Sequence, residues 1–112
     1  MTTYYVKRGD VGSRTPRSFL EDGDGNPADL VGAAVRFIVG VLGQEPIVNA
    51  EAEVIDEETA EVGYTWADGD LDDPGVYRGE YEVTYSDTSV ETFPVNGYIE
   101  VWILQDLSST ES

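Results

Sequence analysis

An all-β antiparallel sandwich of seven or eight strands is the fold class this sequence predicts, and three observations predict it. Apolar and polar residues alternate at period 2 in several segments, while no segment sustains the 3.6-residue apolar period of a helix. Clusters of Gly, Pro, Asn and Asp break the chain at roughly ten-residue intervals, the spacing of short strands joined by turns. The 112 residues include two Trp, seven Tyr and three Phe, enough large side chains for the core of one domain.

The elements follow in order. "TYYV" (3–6) and "RSFLE" (17–21) are short strand candidates. "AAVRFIVGV" (33–41) aligns Val35, Phe37, Val39 and Val41 on one face, with Arg36 opposite. "IVNAEAEVI" (47–55) reads as one further strand. In "TAEVGYTW" (59–66), Ala60, Val62, Tyr64 and Trp66 alternate with Thr59, Glu61, Gly63 and Thr65. "VYRGEYEVTY" (76–85) sets Tyr77, Tyr81, Val83 and Tyr85 against Arg78, Glu80, Glu82 and Thr84. "VETF" (90–93) and "YIEVWIL" (98–104) complete the set. The connections "DGDGNP", "GQEP", "DEET", "DGDLDDPG", "SDTS" and "PVNG" all have turn chemistry. One sandwich over residues 1–104 is expected, followed by a polar, frayed tail at 105–112.

"DDPGVY" refines the fold. Asp73, Gly75 and Tyr77 form an Asp–x–Gly–x–Tyr pattern just before the most strongly alternating strand. A Tyr at a strand start whose hydroxyl bonds back to the upstream backbone is the corner device of immunoglobulin-like sandwiches, so that topology is expected. Gly75 permits the bend and Pro74 stiffens it.

Charge is the strongest compositional signal. The chain has 23 acidic and six basic residues, a net charge of −17, and Lys7 is its one lysine. This balance opposes binding to nucleic acid or to anionic membranes, both of which need basic footprints. No apolar run reaches the length of a membrane helix, and "MTTYYVKRGD" has no apolar signal-peptide region. Acids spread along the whole chain with almost no Lys suit a halophile's protein, whose self-repulsion is screened in molar salt. A DNA mimic and a calcium-dependent module are the other readings of the same excess.

The residues for catalysis are missing. The chain has no His and no Cys, which removes the usual general base, the thiolate nucleophile and the commonest metal ligands. Ser13 and Ser18 lack a base, and Lys7 lies in a charged stretch. The pairs Glu51/Glu53 and Glu80/Glu82 are placed on solvent faces, where neither member is desolvated as acid–base work requires. Tested as an EF-hand loop, 22–33 supplies Asp22, Asp24 and Asn26, but Pro27 stands where Gly is needed and Ala33 where a bidentate Glu is needed. A loop beginning at Asp68 fails at Gly79, although Asp68, Asp70, Asp72 and Asp73 could hold a loose cation. Arg8-Gly9-Asp10 spells an adhesion tripeptide, too short to be specific. The expectation is therefore no catalytic residue, no metal and no cofactor.

The aromatic residues point to a surface. Tyr4, Tyr5, Tyr64, Trp66, Tyr77, Tyr81, Tyr85, Tyr98 and Trp102 could line a glycan-stacking face, but most read as core and cross-strand pairs. Tyr98 and Trp102 alternate with Ile99, Val101 and Ile103, so both faces of that strand are apolar, and the second face suits a partner interface. Tyr4, Tyr5, Tyr98 and Trp102 are the expected contact residues.

Four stretches together carry a resemblance: "YYVKRGD" (4–10), "FLEDGDGNPADLVGAAVRFIV" (19–39), "DLDDPGVYRGEYEVTYSD" (70–87) and "VETFPVNGYIEVWI" (90–103). The set resembles the immunoglobulin-like domain at the N-terminus of phage baseplate upper proteins and in small tail-associated proteins of tailed viruses. The resemblance implies a non-enzymatic virion structural protein, located in the virion, that docks on other virion proteins in multiple copies or as a homo-oligomer. With the acid excess, it implies a haloarchaeal virus. A glycan- or calcium-binding module and an acidic DNA-mimic inhibitor are the alternatives.

Overall fold

The computed structural model describes residues 2–13, 15, 18–94 and 98–105. The expected turn "PVNG" lies largely outside these residues, as do Arg17 of the second expected strand and positions 106–112 of the expected tail.

Alternation decides the larger of two layers. Along Ala34–Gly40 (β3), Val35, Phe37 and Val39 are buried, whereas Ala34 and Arg36 are exposed and Ile38 is half-buried. Along Gly75–Thr84 (β7), Tyr77, Gly79, Tyr81 and Val83 are buried, with Val76, Arg78, Glu80, Glu82 and Thr84 facing away. These strands pair antiparallel from Ala34↔Thr84 to Gly40↔Arg78, so their apolar sides coincide. Around this pair the sheet runs β1–β9–β7–β3–β4, where β1 is Thr2–Lys7, β4 is Val48–Glu51 and β9 is Ile99–Leu104. The short strand β8 (Val90–Phe93) pairs with Tyr81–Thr84 on the flank of β7 that β9 occupies further back, over Gly75–Gly79.

The second layer is a three-stranded sheet, β2 (Ser18–Phe19), β6 (Glu61–Gly63) and β5 (Glu53–Asp56), in the order β2–β6–β5. Nine strands and no helix occur among the described residues. The fold is all-β, a sandwich of two sheets, and among the described strands every ladder is antiparallel except β1–β9, which is parallel.

The layers close over a cluster of rings. Phe37 lies 4.8 Å from Tyr81, 5.2 Å from Tyr64 and 5.8 Å from Trp66, centroid to centroid. Tyr64 meets Trp66 edge-on at 5.5 Å. Such tilted and edge arrangements match the ring quadrupoles as well as burying area. Leu20, Leu30, Leu71, Val62, Val83, Val101 and Ile103 fill the space around them.

Three local expectations change. The run 47–55 is two strands in different layers, and the chain crosses between sheets at Ala52, whose N–H bonds the carbonyl of Val35. The alternation continues through the crossing, which is why it reads as one strand. In 59–66 only residues 61–63 form a strand. There Glu61 is buried with its neighbours, since β6 is the middle strand between Phe19 and Asp56. Val41 falls beyond the end of β3 and is exposed.

Candidate binding face

The corner before β7 forms as expected. Tyr77 donates its hydroxyl hydrogen to the carbonyl of Asp73 at 2.8 Å. Gly75 has φ 157°, a conformation L side chains rarely adopt, and a Cβ there would stand 3.4 Å from the Tyr77 ring. Burial and the nearby Asp73 charge raise the Tyr77 phenol above its ordinary pKa.

The acidic turns are self-satisfied. Asp22 Oδ1 accepts N–H bonds from Asp24 and Asn26, both at 2.9 Å, and the Asn26 amide reaches Oδ2. Those backbone donors hold the Asp22 carboxyl below its usual value. The turn closes with Asp22 N–H on the Asn26 carbonyl, and Gly25, unlike Gly23, takes the positive φ. In the second acidic turn Asp70 accepts from the Tyr64 hydroxyl at 2.6 Å and the Ala67 N–H at 2.8 Å. Burial and this carboxylate push the Tyr64 phenol far up. Asp68, Asp72 and Asp73 are exposed around it. No group of three or more potential metal ligands occurs among the described residues. The Arg8-Gly9-Asp10 tripeptide is the turn that ends β1, with Arg8 N–H on Leu104 O and Gly9 N–H on Leu71 O.

Of the carboxylate pairs, Glu51 and Glu53 belong to different sheets, while Glu80 and Glu82 stand on the outer face of the large sheet, opposite Ile38 and Arg36.

The four expected contact residues separate by strand alternation. Tyr4 turns inward, where its ring stacks on Trp66 at 6.2 Å and its hydroxyl accepts the indole N–H at 3.2 Å. Tyr5 turns outward and is 60% exposed. The β1–β9 register sets Tyr5 beside Trp102, with ring centroids 5.8 Å apart, and the β7–β9 register sets Val76 on the other side of Trp102. Val76 is 48% exposed. Tyr5, Trp102 and Val76 thus form one apolar row across three adjacent strands, about 10 Å from β1 to β7 at the usual strand spacing. Trp102 is anchored by its indole N–H on Glu100 Oε1 at 2.7 Å. Tyr98 is on the same face, with the Arg78 guanidinium 4.4 Å above its ring.

Val76 is the member of this row that sequence reasoning missed. Its signal was present, since it alternates with Tyr77 on the outward side of its strand, but its proximity to Trp102 depends on a register between distant strands. Of the other exposed apolar side chains, Phe19 lies on the small sheet and Leu42 in the β3–β4 connection, while Val90 stands on β8 opposite Thr84, away from this row. Scattered singles of that kind are ordinary on protein surfaces, whereas a contiguous row is not.

No family model matches the chain, and no curated protein matches it in sequence. Among solved structures, the crystal structure of CopC from Methylosinus trichosporium OB3b is similar at a TM-score of 0.50 and 12% identity, over 94% of this chain and 86% of that one. CopC is also a β-sandwich, and at this identity the likeness concerns the fold alone. It corrects the expectation of a tailed-virus structural protein: this similar solved structure is CopC rather than a baseplate or tail protein, and nothing in the likeness supports a virion role.

Proposed function

We propose that this chain is a non-enzymatic binding domain whose docking surface is the outer face of its large sheet, centred on Tyr5, Trp102 and Val76. The observation that carries the reading is their contiguity. Register brings two aromatic rings and a valine into one outward-facing row, with Tyr5 and Val76 exposed and Trp102 half-buried between them, on a chain of charge −17. Interface centres favour aromatics and are depleted in charge, and this row has that composition. The inner face of the same sheet already supplies the core, so the outer row adds nothing to closing the sandwich. The absence of His and Cys supports a role without chemistry.

The test is affinity capture from cells that make the protein, with tagged wild type against Val76→Glu. The wild type is expected to retain a stoichiometric partner, either another protein or untagged copies of itself, and the variant to lose it. Equal recovery by both would exclude this face.

A further inference from the structure

We infer that the partner on this face is a second copy of the chain, packed large sheet to large sheet about a two-fold axis; this rests on the reading of the outer face as a docking surface. Charge carries the inference. The side chains turned outward on the large sheet include Lys7, Arg36 and Arg78 against Glu51, Glu80, Glu82 and Glu100. Three bases against four acids leave this face nearly neutral, on a chain that sums to −17. Among the described residues, three bases and four acids turn outward on this sheet.

Placement within the face is also ordered. Register sets Arg36 between Glu51 and Glu82, and Arg78 beside Glu100. Arg36 is held flat on β4, its Nε on Asn49 Oδ1 at 2.7 Å and its Nη2 on the Asn49 carbonyl at 2.6 Å. Two copies of so acidic a molecule repel each other wherever acidic surfaces meet. On this face the local repulsion nearly vanishes, and the apolar row supplies burial. A face with both signs can also be self-complementary, as a two-fold interface requires, since each Arg can meet a Glu of the other copy. A basic partner protein would instead be drawn to more acidic surface than this near-neutral face.

The experiment is sedimentation velocity on the purified full chain across a dilution series, at low salt and at about 1 M salt, where the Debye length is about 3 Å. The wild type is expected to show a concentration-dependent dimer that tightens with salt, as the long-range repulsion of the two acidic bodies is screened. Val76→Glu and Arg78→Glu should each weaken it about tenfold or more, equivalent to about 1.4 kcal/mol. Phe19→Ser, on the other sheet, should leave it unchanged. Near-UV circular dichroism establishes that each variant is folded, and Arg78→Glu carries the test should Val76→Glu not fold. A monomer at all concentrations and both salts would overturn self-pairing, as would a dimer indifferent to both substitutions. A monomeric wild type whose partner is nonetheless lost on Val76→Glu in the cellular capture would overturn self-pairing alone and leave the docking face standing.

Discussion

The hydroxyl of Tyr77 holds the carbonyl of Asp73 across a glycine whose backbone no other residue would adopt without strain. Tyr77→Phe removes one hydrogen bond and keeps the ring, so it should lower unfolding free energy by about 1 kcal/mol in urea titration. Gly75→Ala should cost more than Tyr77→Phe, since it adds backbone strain and a methyl against the ring. The corner was legible in the sequence because all its parts lie within five residues. The tyrosines also define a pH dependence. Burial and the Glu91 carboxylate push Tyr85 up to about 12, and Tyr64, Tyr77 and Tyr81 are raised as well. In the unfolded chain these phenols ionise near 10. Protons held more tightly in the fold than in the unfolded chain stabilise it fully below pH 10, and this stability is lost as pH rises toward and through the folded values. Thermal melts should therefore fall above pH 10, with the ionisation of these four phenols accompanying unfolding rather than preceding it.

At the scale of elements, β7 is the organising strand, paired with β3 on one flank and with β9 and β8 on the other. Its amides, together with those of β3, should exchange slowest with solvent, at free energies near global unfolding, while the two residues of β2 exchange early. Phe37 stands opposite Tyr81 on these strands and touches Tyr64 and Trp66, so Phe37→Ala should cost about 3–5 kcal/mol or abolish folding. Period-2 alternation made the faces of β3, β7 and β9 readable in advance, because one side of each is pressed into the core. The same rule separates inward Tyr4 from outward Tyr5. It could not show the crossing at Ala52, where the period continues while the chain changes sheets. Nor could it show that β1 runs parallel to β9, or that Val76 flanks Trp102, since pairing between distant strands leaves no mark in either local sequence.

At the scale of the molecule, −17 charges on 112 residues oppose the compact state through self-repulsion. Raising salt from about 0.01 M to about 1 M shortens the Debye length from about 30 Å to about 3 Å, so the melting temperature should rise over that range. A flat or falling curve in differential scanning calorimetry would contradict this. Against that acidic background the outer face of the large sheet is the exception, near-neutral and carrying an aromatic row. Its composition was partly visible in the two-faced apolarity of "YIEVWIL"; its contiguity required the fold.

The most direct measurement of the central claim is site-specific photo-crosslinking in cells that make the protein, with the crosslinker placed in turn at positions 76, 5, 19 and 42. The account predicts defined adducts, to another copy or to another protein, from positions 76 and 5, and none from 19 on the small sheet or 42 at the β3–β4 hairpin tip. Adducts confined to positions 19 or 42, with none at 76 and 5, would contradict it.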